Sequence, residues 1–153
     1  MKTLTILIGI PGSGKSTYID EMLPDNQIIS MDDIKESIGM EFFIPWPSNG
    51  AYNNVSAIDA VAKTMCKALM KREKQIVIDD LNIDEHRLTE WLDIADEYNY
   101  KTKAIVIDKH FVVCLSRRRD IPKSIMKEME MQYNSLLKNK SLLDRFDDLE
   151  MRG

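Results

Sequence analysis

The chain has 153 residues, 44% of them hydrophobic and 30% charged, with a formal net charge of −4. That length suits one domain able to bury a core without disulfides or metals, and the composition is ordinary for a globular protein. The acidic balance argues against a broad, electrostatically driven nucleic-acid surface, and no apolar run approaches the roughly 20 residues of a membrane-spanning helix.

The apolar run Thr3–Ile8 predicts a first strand, so close to Met1 that no targeting segment is expected ahead of it. Directly behind it stands Gly9-Ile10-Pro11-Gly12-Ser13-Gly14-Lys15-Ser16-Thr17, a fit to G-x-x-x-x-G-K-[ST]. Its glycines let the backbone turn tightly and aim N–H groups inward as an anion nest. The helix that follows adds the positive end of its dipole. Lys15 supplies a point charge for the β- and γ-phosphates of a nucleoside triphosphate, and the Ser16 hydroxyl a ligand for Mg²⁺. Gly9, Pro11, Gly12, Ser13, Gly14, Lys15, Ser16 and Thr17 are therefore the candidate ATP-binding residues.

A second strand is expected at Gln27–Ser30, ending in Ser30-Met31-Asp32-Asp33. Ligands of open α/β sheets bind at the carboxyl ends of strands, where Asp32 could take the proton of an attacking hydroxyl. Helix capping by this acidic turn is the competing role, and Asp33 can cap while Asp32 remains free. Lys35, one turn beyond Asp32, either meets a phosphate on the acceptor or pairs with Asp32. Residues 40–54 read as an irregular segment carrying Phe42, Phe43, Trp46 and Tyr52, able to stack bases, close a pocket or pack the loop on the sheet.

Helical spacing over Ile58, Val61, Ala62, Met65 and Leu69 predicts a core-facing helix, as does Leu88, Trp91, Leu92, Ala95 and Tyr98. Between them a third strand at 75–79 runs into Asp79-Asp80-Leu81-Asn82. An apolar strand ending in Asp places a carboxylate beside Mg²⁺ or substrate, or caps the next helix, a role open to Asp84 as well. A fourth strand is expected at 103–108. Arg117-Arg118-Arg119 follows, ahead of a last helix starting near Pro122 with Ile125, Met129 and Tyr133 inward. A mobile arginine can stabilise charge on a transferring phosphoryl group. Segment 144–150 is net acidic and reads as a solvated end. His86 and His110 read as surface or capping residues, and Cys66 and Cys114 as buried thiols, which points to an intracellular, cytoplasmic setting.

The alternation of short apolar strands with helices predicts an α/β fold: a P-loop three-layer sandwich on a mainly parallel sheet of about four to five strands. Residues 1–140 form that domain and 141–153 its tail.

Together, the 9–17 loop, Asp32-Asp33 with Lys35, Asp80-x-Asn82 and the arginines before Ile121-Pro122 resemble the kinase domain of phage-type polynucleotide 5′-hydroxyl kinases. The resemblance extends to about Leu137 and is shared in part by zeta-toxin-like enzymes and kinases of small metabolites. It implies ATP and Mg²⁺ as cofactors and a nucleic-acid 5′-OH end as substrate; the loop motif and the third strand's end make Ser16 and Asp79 the candidate metal ligands. It implies that Asp32 activates the hydroxyl, that Lys35, Asp80 and Asn82 serve the acceptor side, and that a lid arginine contacts the γ-phosphate. Arg119 is foremost for that last role, with Arg117 and Arg118 beside it on the nucleotide. The chain departs from the family in having Lys35 where Arg is usual, Leu81 where Thr is usual, and a shorter lid. A kinase of nucleosides, nucleotides or other alcohols is the alternative, and a non-catalytic nucleotide-binding module the third reading. A GTPase switch is disfavoured, because Asn139-Lys140-Ser141-Leu142 lacks the Asp of N-K-x-D.

Overall fold

The computed structural model describes residues 2–37 and 51–153. Five strands form one sheet: β1 (Thr3–Ile8), β2 (Gln27–Ser30), β3 (Ile76–Asp79), β4 (Lys101–Ile107) and β5 (Asp148–Arg152). Their order is β2-β3-β1-β4-β5, and every neighbouring pair is parallel. Parallel neighbours need crossovers, supplied by α1 (Lys15–Met22), α2 (Met31–Ser37), α3 (Ala51–Lys71), α4 (Glu85–Glu97), α5 (Phe111–Arg117), α6 (Lys123–Lys138) and α7 (Lys140–Leu143).

The central strands are apolar on both faces because helices cover both. Leu4, Ile6, Ile8, Ile76, Ile78, Ala104 and Val106 pack with Ile58, Ala62, Trp91, Leu92 and Met126 from α3, α4 and α6. On the other face Leu7, Val77, Ile105 and Ile107 cluster with Ile19 of α1, Tyr18 and Leu23 at its edge. The order places β1 centrally, so the loop behind it opens at the middle of the sheet's carboxyl edge.

Three expectations are corrected. Val61 and Met65 are 37% and 39% exposed. The inward stripe of α3 is Ile58, Ala62, Cys66 and Met70, four residues apart, because this diagonal rather than the 61–65 one meets the sheet. Residues 148–152 are the fifth strand, not a solvated end. Lys103 of β4 lies 2.7 Å from Glu150 and 3.7 Å from Asp148, which neutralises the acids at this edge, and the Asp147 carboxylate accepts from the Thr102 N–H at 2.8 Å. Residues 51–54, read as irregular, begin α3. Phe42, Phe43, Trp46 and the side chain of Tyr52 lie outside the described residues.

The two cysteines are buried and free, and burial pushes the Cys66 thiol up to about 12, which keeps it protonated and unreactive. His110 caps α5, its Nδ1 accepting from the Val112 N–H at 3.2 Å. Exposed His86 faces Glu90 at 3.4 Å. Among the described residues no helix is long and apolar enough to cross a membrane.

Candidate functional site

The loop from Gly9 to Gly14 turns on two left-handed glycines, Gly12 at φ +83 and Gly14 at φ +103. A Cβ on Gly12 would also meet the Cys114 carbonyl oxygen at 2.9 Å, so α5 backs directly onto the cradle. Two bonds from outside brace the loop. The Gly9 N–H donates to the Leu81 carbonyl at 3.1 Å, and Arg117 Nη1 donates to the Gly12 carbonyl at 3.0 Å. Gly14 then opens α1 with no side-chain cap, which leaves first-turn N–H groups available to an anion.

Lys15 is buried, its Nζ donating to the carbonyls of Gly9 and Ile10 at 3.0 Å each, with Ser13 Oγ at 3.5 Å. Burial lowers its pKa from 10.5 to about 8, opposed by the charges of Asp79 and Asp80. Two consequences follow. A bound polyphosphate favours the charged amine, so ATP affinity is expected to fall above pH about 8, by up to about tenfold per pH unit, with proton uptake on binding. Titration calorimetry in buffers of different ionisation enthalpy reads that uptake; affinity flat from pH 7 to 9.5 would contradict it. In the free protein, the folded pKa lies below the unfolded one. Lys15 therefore costs stability below pH about 8, and the cost is relieved as pH rises toward 10.5. A Lys15→Met variant should lose that rise in denaturant midpoint.

One cleft of about 1750 Å³ runs along the carboxyl edge of the sheet. Pro11 to Thr17 line it, together with Asp32, Lys35, Asp79, Asp80, Arg117 and Arg118. These groups converge from four elements. Ser30 starts α2 as its cap, Oγ accepting from the Asp33 N–H at 3.2 Å, which projects Asp32 from the first turn. The Asp32 side chain is 92% exposed and sits 3.6 Å from the Lys35 ammonium. Both roles weighed for Lys35 are compatible with this place: it pairs with Asp32 and lines the cleft.

Asp79 ends β3 in register with Ser30. Burial raises its pKa first of all, Lys15 pulling it back and Asp32 and Asp80 adding to the rise. Asp80 is likewise raised by burial, with the Arg87 guanidinium, the Leu81 N–H and Lys35 opposing. Arg87, on α4, has no part in the sequence reading, yet it lines the cleft. Its register is fixed by Asp84, whose Oδ1 accepts from the Arg87 N–H at 3.0 Å as the α4 cap.

Two residues take other places than the sequence reading gave them. Asn82 is buried, with φ +55, and its side chain is absent from the cleft wall. Its Nδ2 donates to the Leu7 carbonyl at 2.7 Å and approaches those of Asp80 and Ile78 at 3.3 and 3.4 Å. It staples the β3–α4 turn to β1 just ahead of the cradle. Asn82→Ala should lose about 1–3 kcal/mol of stability by urea titration, from orphaned carbonyls and a strained φ. An unchanged midpoint would contradict this role. Arg119 is exposed and does not line the cleft, whereas its neighbours do. Arg118 is held in a two-pronged pair with Asp120, Nε to Oδ1 at 3.0 Å and Nη2 to Oδ2 at 2.9 Å.

The residues present fit a magnesium-bound triphosphate. Gly12 and Gly14 hold left-handed φ values that a side chain would strain, and Ser16 and Asp79 on the cleft wall offer the hard oxygen ligands Mg²⁺ takes. Among the described residues no group of three or more His, Cys, Asp or Glu is placed to hold a metal ion.

Parallel five-stranded sheet, cradle and facing acids define a P-loop domain of kinase type. The chain belongs to a family described as an AAA domain, whose model matches residues 4–128. It is 32% identical over 106 residues to the 2′,3′-cyclic-nucleotide 3′-phosphodiesterase of Pongo abelii, covering 65% of this chain and 23% of that protein. It is 26% identical over 131 residues to the "Putative bifunctional polynucleotide kinase/RNA ligase" of Autographa californica nuclear polyhedrosis virus, covering 76% of this chain and 18% of that one. Among solved structures, a chain of the Pnkp1/Rnl/Hen1 complex superposes with a TM-score of 0.62 at 24% identity, over 75% of this chain and 38% of its own. The chain thus spans about a fifth of the length of these curated relatives.

Proposed function

We propose that this chain is an ATP-dependent kinase that transfers the γ-phosphoryl group to the 5′-hydroxyl end of a polynucleotide. The observation that carries this reading is one open cleft lined both by the Lys15 cradle and by the exposed carboxylate of Asp32. Similarity to the viral polynucleotide kinase/RNA ligase supports the choice of acceptor.

In this reading the cradle N–H groups and Lys15 hold the triphosphate, and Lys35 lies on the acceptor side. Asp32 takes the proton of the 5′-hydroxyl as its oxygen attacks the γ-phosphorus, and ADP leaves on the far side. Ser16 and Asp79 would hold Mg²⁺, which would supply charge neutralisation on the phosphates. Arg117 is fixed on the loop itself, and Arg118 reaches the transferring group by exchanging the Asp120 carboxylate for phosphate. Asp80 organises the acceptor side through its cations.

Incubation with γ-labelled ATP and a panel of 5′-OH DNA and RNA oligonucleotides, nucleosides and small alcohols tests the reading. Label on oligonucleotides supports it. Label confined to monomers assigns a small-molecule kinase instead, and ATP binding without transfer assigns a nucleotide-binding module.

A further inference from the structure

The outer edge of β5 is a strand edge without the usual guards. Ladder alternation sends its backbone groups two ways. The Asp108 N–H donates to the Arg152 carbonyl at 2.6 Å, so Arg152, and with it Glu150 and Asp148, turns its backbone groups toward β4. The N–H and C=O groups of Leu149 and Met151 therefore point away from the sheet, and among the described residues no strand pairs with them. Natural sheets blunt such an edge with lysine, proline, a bulge or a covering element. β5, with the sequence Asp148-Leu149-Glu150-Met151-Arg152, has no lysine or proline, and its register with β4 is unbroken. The side chains of Leu149 and Met151 are open as well, at 37% and 52% exposure. The opposite edge, β2, is a strand of four residues that packs with α2 and α3.

We propose that the β5 edge pairs with the same edge of a second copy of this chain, antiparallel about a two-fold axis at Glu150, joining the two five-stranded sheets into one. In that register the edge is complementary to itself. Leu149 stands opposite Met151 of the second copy, and the two exchange both N–H···O bonds. The axis repeats the pair, so every outward N–H and C=O of Leu149 and Met151 finds a partner. Asp148 stands opposite Arg152 of the second copy, an acid against a base on each side of the axis. Both side chains are half-exposed or more and so remain open to the pairing. The like-charged meeting, Glu150 with its own copy, is neutralised beforehand by Lys103 at 2.7 Å and Arg152 at 2.9 Å, which hold the Glu150 carboxyl below its ordinary range. On the other face of the strand, Leu149 and Met151 meet their counterparts and withdraw apolar surface from water. Antiparallel pairing points the two carboxyl edges in opposite directions, so both clefts stay open.

Sedimentation of the chain from about 1 µM to about 1 mM, the range of a small interface, tests this. The mass should pass from 17.7 kDa to twice that value. Hydrogen exchange over the same range should slow by about tenfold or more at the Leu149 and Met151 amides as the dimer forms. Met151→Pro deletes an outward N–H while sparing the bonds to β4, and Leu149→Lys with Met151→Lys restores the missing charged guards. Both should stay monomeric over the whole range. The lysine variant replaces exposed side chains only, so its circular dichroism should match wild type even if the proline disturbs the strand. The inference is overturned if wild type stays monomeric throughout, or if its dimer survives in the lysine variant. It is also overturned if the two amides exchange at one rate across the range; constant protection would assign the edge to a segment of the chain itself.

Discussion

Replacing Lys15 by alanine should lower kcat/KM by about 10²–10³-fold, the order found when one donor aimed at developing charge is removed from a preorganised site. ATP binding should weaken in the same variant, because the ammonium meets the triphosphate in the ground state as well as in the transition state. The geometry explains why no neighbour substitutes. Lys15 is the buried cation of the cradle, seated on the Gly9 and Ile10 carbonyls, while the arginines approach from α5 at the rim. Circular dichroism should be unchanged, since the side chain crosses no part of either core cluster. Full activity would show that the loop does not grip phosphates.

Asp32→Asn should behave differently. The amide keeps the shape of the carboxylate and its place at the first turn of α2, but it accepts no proton at neutral pH. Turnover is expected to fall by about 10²-fold or more, with ATP affinity held within a few-fold. The 92% exposure of Asp32 means that this change carries no packing penalty, so loss of turnover can be read as chemistry. Its ion pair with Lys35 is exposed enough to contribute little to stability. Rapid-quench measurement of phosphoryl transfer separates the chemical step from product release. Unchanged single-turnover rates would remove Asp32 from its role as base.

The cradle was legible because its chemistry demands fixed spacing: glycines at set offsets, then Lys and a hydroxyl. The first four strands were legible for a related reason, since burial on both faces leaves runs of Ile, Leu and Val with little else. Where two arrangements had similar composition, the sequence could not choose. The diagonals Val61–Met65 and Cys66–Met70 on α3 are both apolar, and only the position of the sheet decides which is buried. Of the three consecutive arginines only Arg117 lies in α5, and Arg118 is its non-helical cap, so their order in the sequence says nothing of which meets the cleft. β5 was hidden because Asp148 and Glu150 read as solvated acids until Lys103 is seen on the adjacent strand. The alternation of Leu149 and Met151 with charged neighbours was the available signal.

Asn82 and Arg87 make the same point from opposite sides. An asparagine beside two aspartates looks like chemistry, yet its amide is spent on carbonyls that join β1 to the β3–α4 turn. An arginine on a charged helix looks like surface, yet the Asp84 cap sets the turn on which it faces the cleft. Both outcomes depend on backbone conformation at the end of β3, which local composition does not encode.

In the proposed reaction one acid and one phosphate cradle share an alcohol between them. Its most direct test is a crystal structure with a non-hydrolysable ATP analogue, Mg²⁺ and a short 5′-OH oligonucleotide. The 5′-oxygen should stand at hydrogen-bond distance from the Asp32 carboxylate, about 2.6–3.2 Å, and in line with the γ-phosphorus. A complex in which the oligonucleotide end lies elsewhere, with Asp32 facing solvent and the γ-phosphate unapproached, would contradict it.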